Sequence, residues 1–549
     1  MKFSRSTLGY LVLLVVLTVP LCSRIFGSDL IDAHDSMAGL IRALSMQKYM
    51  WHGQFLVRWS PEINWGYGYP MFNFYPPFFS FISVLLFQLT HNMVLAINLA
   101  CSLFWILSGA GMFFLAREFW GDEGGMLSAV LYVYAPYHIV DLYVRGAFAE
   151  FSSFAFFPFL LFAILKVGRK AGLGFFLLGV GSVFGLSLTH NIMSMLFFPV
   201  AVAFMFYLYY TGDREGRAYR ILSVMGMFVI GLMMSSFFWL PALLEKKFLG
   251  LEFLVSMRYD FHKNFISLGD LFQPFNTNTA DNVSFQVGII HSLLCLGTLA
   301  CLPKILKINR RLGLGYVFFL VVGLMAVFFT LPYSRLFWEN IGILSFIQFP
   351  WRFLAIIVFA MSLLCGSVAV LIKDPMVRKV FLIIVGLLAI FVSFKSSSKP
   401  VFVASERTVE DFLAMGEGEY TPKWIKIPPA KRPDRKFEIV RGTGQLGEER
   451  SLGPVNYQTM FQASSPCLLS FNTFYFPGWH VYMDGQPIKP YLDNSFGLIL
   501  FLVPPGNHDI QVIFGQTPVR VAGMIISWLG FVLLLMLSFN PWLRSKLIN

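Results

Sequence analysis

Residues 8–35 read LGYLVLLVVLTVPLCSRIFGSDLIDAHD, an apolar run that ends in a short acidic segment. The run from 8 to 26 matches the ~20 residues that a helix needs to cross a bilayer. Lys2 and Arg5 precede it, so the positive-inside rule places the N-terminus in the cytoplasm. We therefore predict a first transmembrane helix, followed by a polar segment on the outer face of the membrane.

The composition extends this prediction to the whole chain. Of 549 residues, 56% are hydrophobic and only 13% are charged, and the mean hydropathy is +0.66. Roughly a quarter of a soluble protein is charged, so the chain is predicted to be a polytopic α-helical membrane protein. The net charge of +12 lies in short connections between apolar runs. This pattern indicates positive-inside topology, not a nucleic-acid partner.

The topology that keeps every strongly basic short loop inside has about twelve spans and both termini in the cytoplasm. The run 78–90 is too short to cross and is predicted to be an interfacial or re-entrant helix on the outer face. A multi-pass protein of the cytoplasmic (inner) membrane is expected. The predicted spans are 8–26, 93–116, 125–141, 148–165, 172–189, 192–211, 221–241, 286–303, 312–331, 353–372, 379–396 and 519–538.

Three units follow from this topology. Residues 1–396 form a transmembrane domain that includes the outer loop 27–77. Residues 397–518 alternate apolar and polar positions between turns such as Asp484-Gly485, which predicts a small extracytoplasmic β-sandwich. Residues 519–549 form the last span and a cytoplasmic tail.

The acidic segment is the leading candidate for chemistry. Asp29, Asp32 and Asp35 are spaced by three, so a helix would bring them to neighbouring positions of one face, with His34 beside them. Asp35 also fits the N-cap of a helix that runs to about Met50. A carboxylate at a membrane surface can accept a proton from an attacking hydroxyl or ligate a divalent cation.

A second acid begins an apolar span further along the chain. Glu150 either pairs with Arg145 or adds a second carboxylate to a site with Asp35, since an unpaired acid in a span is unfavourable. If Mg²⁺ or Mn²⁺ takes part, Asp35 and Glu150 are its candidate ligands. His190, at the end of another span, is expected to cap a helix.

Arginines and aromatic residues supply candidate substrate contacts. Arg352 and Arg335 either snorkel to lipid head groups or hold a phosphate, which suits a guanidinium fork. Trp65, Tyr67 and Tyr69 either stack on sugar rings or form an interfacial aromatic belt.

The arrangement of spans and outer loops resembles that of GT-C glycosyltransferases. The region 476–485 is similar to the outer domain of YfhO-type membrane glycosyltransferases. Several motifs resemble the bacterial membrane proteins labelled "6-pyruvoyl-tetrahydropterin synthase-related": His34-Asp35, Arg58-Trp59, Gly66-Tyr67-Gly68-Tyr69-Pro70, Tyr75-Pro76-Pro77, Arg145-Gly146-Ala147, Glu150 and Phe349-Pro350-Trp351-Arg352.

This resemblance implies an enzyme that moves a sugar from a polyprenyl-phosphate-linked donor to a glycan, lipid or protein acceptor on the outer face. The first outer acid acts in such enzymes as base or metal-associated residue, a role that fits Asp35, or else Asp32. The second acid would be Glu150 or Asp141. The substrate-binding residues expected from these motifs and from the outer arginines are His34, Arg58, Tyr67, Tyr69, Arg145, Arg335 and Arg352.

Two other functions remain open from the sequence. A transporter or flippase for lipid-linked glycans would carry polar residues deep within its spans. A non-catalytic scaffold for envelope polysaccharide assembly would use the β domain to bind a partner. Apart from these partners, only membrane lipids are expected.

Overall fold

The computed structural model describes residues 5–22, 29–52, 54–169, 172–212, 217–250, 260–273, 285–394, 401–402, 409, 413 and 418–540. The predicted cytoplasmic tail after 540 and the first part of the predicted β domain lie outside the described residues.

Helices make up most of the chain before residue 395. In order they are α1 Arg5–Cys22, α2 Ser36–Met50, α3 Met71–Phe74, α4 Phe78–Thr90, α5 Met93–Val133, α6 Pro136–Tyr143, α7 Phe148–Ser153, α8 Phe156–Val167, α9 Leu173–Thr189, α10 Asn191–Thr211, α11 Arg217–Met234, α12 Ser236–Leu244, α13 Ile289–Ala300, α14 Leu302–Ile308, α15 Arg310–Thr330, α16 Arg335–Asn340, α17 Gly342–Ser345, α18 Leu354–Cys365, α19 Val368–Leu371, α20 Pro375–Phe394 and, after the β domain, α21 Pro518–Phe539.

Among the described residues, eight helices are long and apolar enough to cross a membrane, or ten if each of two bent helix pairs is one span. The bends are 71° between α11 and α12 and 61° between α13 and α14. The polytopic helical fold is confirmed, but the count is below the predicted twelve. Two predicted spans account for the difference between twelve and ten. The span 172–189 corresponds to α9, which has only 17 residues, and the spans 93–116 and 125–141 both belong to α5, which is counted as one helix.

Helix α5 folds back on itself at Gly121. This residue has φ 73° and ψ 177°, a conformation that side-chain-bearing residues rarely adopt. Trp105 Nε1 in the first half donates to the Val133 carbonyl at the far end, at 3.1 Å. The two halves therefore lie side by side, as the separate predicted spans 93–116 and 125–141 require.

The segment after α1 differs from its prediction in one respect. Helix α2 spans Ser36–Met50, as expected for a helix with Asp35 at its N-cap. The three aspartates, however, precede the helix: β1 covers Leu30–Ile31, and the backbone turns before Ser36. The prediction that they share one helix face is wrong, because the helix begins only after the last of them.

The C-terminal domain consists of antiparallel strands. The first sheet has the order β10-β7-β3, and the second has the order β4-β6-β11-β8-β9, with β5 also paired to β6. The strands are β3 Phe437–Arg441, β4 Gly444–Leu446, β5 Arg450–Gly453, β6 Asn456–Ala463, β7 Cys467–Phe474, β8 Trp479–Met483, β9 Gln486–Ile488, β10 Leu498–Val503 and β11 Gly506–Phe514.

The two sheets share one core, as the predicted sandwich requires. Buried positions alternate along β8 and β11, and these side chains meet those of β7 and β10. Phe471 in the first sheet and Trp479 in the second lie 5.6 Å apart, ring centre to ring centre.

The loop between α2 and α3 contacts this domain directly. Trp59 of the loop packs against Trp479 and Phe514, with ring centres 5.6 and 5.4 Å apart. The Phe474 amide donates to the Tyr67 carbonyl at 2.9 Å, which adds a backbone bond. A separate two-stranded sheet pairs β1 with β2, Val401–Phe402. The domain is thus held at several points of the N-terminal loop.

A buried ionic network joins the domain to the helices. Glu245, just after α12, accepts hydrogen bonds from Arg520 of α21 and from Asn73 of α3. Arg520 also donates to the carbonyls of Gly515 and Pro477, which lie in the β domain and its exit. The last helix and the β domain therefore meet at one carboxylate.

Candidate active site

A buried carboxylate, that of Glu150, lies at the centre of a polar cluster formed with Tyr137, Asp141, Arg145 and Arg352. Glu150, in the first turn of α7, accepts a hydrogen bond from the Tyr137 hydroxyl at 2.6 Å. Its other oxygen lies 2.9 Å from Arg145 and 3.4 Å from Arg352. Only 1% of Glu150 is exposed. Of the two alternatives, the structure shows the pairing of Glu150 with Arg145, which compensates a charge that would be very unfavourable alone.

Arg145 joins two acids. It forms an ion pair with Asp141 one turn earlier and with Glu150 five residues later. Its guanidinium also lies 4.7 Å from the centre of the Trp351 ring, within cation–π range. Arg145 therefore contacts one residue each of α6, α7 and the turn before α18, and these contacts hold its guanidinium in place.

Arg352 is buried rather than snorkelling. It lies in a 3-10 turn, Pro350–Phe353, and is 7% exposed. Its Nη1 donates to the Ile347 carbonyl at 2.7 Å and to Gln348 Oε1 at 2.8 Å. Gln348 itself adopts φ 66°. The turn thus aims the guanidinium inward at Glu150.

Asp35 lies at the edge of this cluster. Its amide donates to the Arg145 carbonyl at 2.8 Å, and the His34 amide donates to the Val144 carbonyl at 3.2 Å. Gly146, at φ 62°, permits this contact, since a Cβ there would lie 2.5 Å from Ser36 Oγ. The Asp35 side chain is exposed and makes no capping hydrogen bond. It is held beside Arg145 by its backbone.

Arg42 and His190 lie near the same cluster. Arg42 lies two turns after Asp35 on α2 and stacks on Tyr75, 3.8 Å from the ring centre. His190 caps α10, as predicted, by accepting the Met193 amide at 3.1 Å. The charges of Arg42 and Glu150 both act on His190. Arg42 was not among the predicted residues, although its spacing of seven from Asp35 indicates the same helix face.

A groove of about 590 Å³ ends beside the cluster. Its wall is mostly apolar and comes from α10, α12 and the segment before Arg352. Two polar side chains of its lining lead to the cluster: Gln348, which binds Arg352, and Asn191, which follows His190. Lys246 also lines the groove.

Most of the remaining candidates lie away from the cluster. Arg58 is buried beside Asn73 and the Phe237 carbonyl. Tyr67 stacks on Phe474, and the Tyr69 hydroxyl accepts the Tyr420 amide at 2.6 Å, so both hold the β domain. Arg335 is exposed and pairs with Glu339. Asp32 and His34 are exposed near Asp35, and Asp29 is partly buried before β1.

The donor set does not fit a resident divalent cation. Both Glu150 oxygens face a hydroxyl or guanidinium groups, which would repel a metal ion from that carboxylate. Within the described ranges, no three His, Cys, Asp or Glu side chains are grouped to hold a metal. Asp35 is then the one candidate ligand left, and Mg²⁺ on a single carboxylate depends on water and substrate phosphates for its other ligands.

Solved structures with similar folds are glycosyltransferases of low sequence identity. The archaeal oligosaccharyltransferase AglB from Archaeoglobus fulgidus, solved with an inhibitory peptide and a dolichol-phosphate, is 12% identical over 73% of this chain and 57% of that chain, with TM-score 0.46. The arabinofuranosyltransferase AftD from Mycobacteria is 17% identical over 74% of this chain and 28% of that chain, with TM-score 0.45.

ArnT from Cupriavidus metallidurans, bound to undecaprenyl phosphate, is 15% identical over 67% of this chain and 61% of that chain, with TM-score 0.44. The chain therefore spans less than two thirds of the length of each of these proteins. No curated protein sequence matches it.

A family model supplies the assignment that these distant structures do not. The model described as "6-pyruvoyl-tetrahydropterin synthase related domain; membrane protein" matches residues 72–400, more than half of the chain. The match includes Arg145, Glu150 and Arg352, and it confirms the family predicted from the motifs. The chain belongs to the 6-pyruvoyl-tetrahydropterin synthase related family of membrane proteins.

Proposed function

We propose that the protein is an inverting glycosyltransferase that uses a polyprenyl-phosphate-linked sugar on the extracytoplasmic face of the cytoplasmic membrane. One observation carries the proposal: the uncapped, exposed carboxylate of Asp35 is held by its backbone beside Arg145 and the buried cluster. An exposed acid next to buried guanidinium groups suits a reaction in which a proton is accepted and a phosphate departs.

In the proposed reaction, the acceptor hydroxyl oxygen attacks the anomeric carbon of the donor sugar. The bond from that carbon to the phosphate oxygen breaks, and polyprenyl phosphate leaves with the bonding electrons. Asp35 takes the hydroxyl proton. Attack opposite the leaving group inverts the anomeric centre.

Arg352 and Arg42 are proposed to stabilise the departing phosphate. Arg145 and Arg352 face the buried acid Glu150, and Arg145 also pairs with Asp141. Arg42 adds a cation close enough to act on His190 beside them. A phosphate could be stabilised there electrostatically. Glu150 would orient Arg145 and Arg352, which makes it a positioning residue.

The apolar groove beside Gln348 is the proposed site of the donor's hydrocarbon chain. It lies between helices that are expected to face lipid, and its volume of about 590 Å³ suits several isoprene units. Lys246 lines the same groove and brings a further cation toward the head group.

The experiment is a transfer assay on purified protein with synthetic pentose- and hexose-carrying polyprenyl phosphates. Loss of a general base typically lowers the rate 10²–10⁴-fold, so we expect that loss in Asp35→Asn. The matched controls Asp29→Asn and Asp32→Asn should retain near wild-type rates. Wild-type transfer by Asp35→Asn would overturn the assignment. Vesicles that translocate lipid-linked sugar without transferring it would instead support a flippase.

A further inference from the structure

A second, larger groove lies under the β domain. Its volume is about 860 Å³, and an adjoining space of about 200 Å³ continues it toward α4. The two spaces share lining residues from the outer loop, α9 and α12: Phe55, Leu56, Arg58, Phe184 and Phe237. Phe55 is 68% exposed and Trp528, on α21, is 67% exposed. The groove is therefore apolar and open at its side.

One thin wall separates this groove from the donor groove proposed above. Successive residues of α12 face opposite sides, with Phe238 lining the second groove and Trp239 lining the first. The same is true of α9, where Leu188 faces the second groove and Ser187 the first. Two apolar grooves thus run along opposite sides of the same helices.

Arg58 is the charged residue in the wall of the second groove. It is 3% exposed, and its Nη2 donates to the Phe237 carbonyl at 2.8 Å. Its Nη1 makes a longer bond of 3.3 Å to Asn73 Oδ1, and its Nε has no hydrogen-bond partner in the described structure. One donor of a buried guanidinium is therefore unsatisfied at a lipid-accessible groove.

The charges around Arg58 are not balanced. Glu245 is the carboxylate near Arg58, but Arg520 already donates two hydrogen bonds to it. Burial, and then the neighbouring Arg520 charge, lower the pKa of Arg58 to about 9. The guanidinium remains charged at neutral pH without a full counter-charge, an arrangement that favours a bound anion.

We propose that the second groove binds the hydrocarbon chains of an anionic lipid whose head group pairs with Arg58, and that this lipid is the acceptor of the transferred sugar. The acceptor role rests on the glycosyltransferase function proposed above. Both reactants would then approach within the membrane, one on each side of α12.

The first test measures lipid binding and does not depend on transfer. Purified protein is titrated with dioleoyl phosphatidylglycerol or dioleoyl phosphatidylcholine, and bound lipid is counted by native mass spectrometry. We expect wild type to prefer phosphatidylglycerol and Arg58→Gln to bind it about tenfold less well, as for loss of one charge-assisted hydrogen bond. Lys489→Gln, which likewise removes one positive charge but from an exposed position of the β domain, is the control.

A second variant keeps the charge and fills the groove. Met524 lines the groove on α21, whereas the neighbouring Ile525 is exposed on another face. Met524→Trp should reduce phosphatidylglycerol binding at least fivefold, and Ile525→Trp should not. Wild-type binding and lipid preference in both Arg58→Gln and Met524→Trp would overturn the proposal.

The second test identifies the acceptor. Labelled donor is supplied to protein in vesicles of total membrane lipid, and products are partitioned between chloroform and water. We expect the label in a chloroform-soluble product that is distinct from the donor, and less of it with Met524→Trp. Label only in water-soluble glycan or in protein would overturn the acceptor role while leaving the transferase function intact. The absence of any transferred label would instead contradict the transferase function.

Discussion

Arg520, in the last helix, donates from Nε and Nη2 to one oxygen of Glu245, at 3.1 and 3.0 Å, although 275 residues separate the two. Glu245 also lies close enough to Arg58 for their charges to interact. The Glu245 carboxylate therefore compensates the charges of two buried arginines, and through Arg520 it connects the β domain to the helices.

Removal of the Glu245 charge should destabilise the protein by more than the loss of its hydrogen bonds alone. Glu245→Gln leaves two buried guanidinium groups without a counter-charge, and we expect a loss of about 3–5 kcal/mol in stability. Adding Arg58→Met should recover part of the loss, because it removes one of the two cations. The readout is unfolding of detergent-solubilised protein in a double-mutant cycle. Strictly additive losses would contradict the charge argument.

Glu150 provides a matched comparison between a buried and an exposed ion pair. Glu150→Gln should destabilise the protein by about 3–5 kcal/mol, because Arg352 stays buried without its acid and Arg145 keeps only Asp141. Glu339→Gln makes the same change at the exposed Arg335 pair and should leave the unfolding temperature nearly unchanged, because solvent screens that pair. Equal effects in thermal unfolding would show that the buried cluster is not an electrostatic unit.

Lys436 should make β-domain docking depend on pH. Its Nζ donates to the Gly66 carbonyl at 2.7 Å, and burial lowers the pKa of Lys436 to about 8. The unfolded lysine, with its ordinary pKa near 10.4, binds more protons between these values, so stability should rise as pH increases from about 8 toward 10. Below pH 8 both forms are protonated, and the burial penalty is present in full.

The measurement compares wild type with Lys436→Met, which keeps the apolar stem. From pH 7.5 to 9.5 wild type should gain about 1–2 kcal/mol relative to the variant. The range ends at 9.5 because burial raises the pKa of Tyr457 to about 12, an effect that would oppose the gain above pH 10. Parallel pH profiles of the two proteins would exclude a buried ammonium at this junction.

The predicted orientation in the membrane can be tested with cysteines. Ser495 is exposed in the β domain, and Ile308 is exposed in a connection that carries basic residues. In intact protoplasts, a membrane-impermeant maleimide should label Ser495→Cys and not Ile308→Cys, each compared with the parent protein. The opposite result would invert the topology and place Asp35 in the cytoplasm.

Much of the fold could be predicted from the sequence, because apolar length and basic loops are local properties. The helix from Ser36 to Met50, the short helix 78–90 and the β domain are all present. The number of membrane spans was harder to predict. Gly121 breaks α5 through one backbone conformation, and the bend between α11 and α12 depends on packing rather than on hydropathy.

The candidate site was predictable only in part. Arg145, Glu150 and Arg352 were identified because charges in apolar segments are conspicuous. The contacts of Arg58, Tyr67 and Tyr69 could not be predicted, because they join residues far apart in the sequence. Arg58 bonds to α12, and the two tyrosines contact the β domain. An aromatic residue that binds a sugar and one that binds a β domain look the same in a sequence.

The pairing of Leu30–Ile31 with Val401–Phe402 has a consequence for biosynthesis. A ribosome that has released the acidic segment must add about 370 further residues before the partner strand exists. During that interval the strand that precedes Asp35 lacks its β partner. The pair cannot form until Phe402 has been synthesised, so a product truncated before Val401 would contain Asp35 but not this sheet.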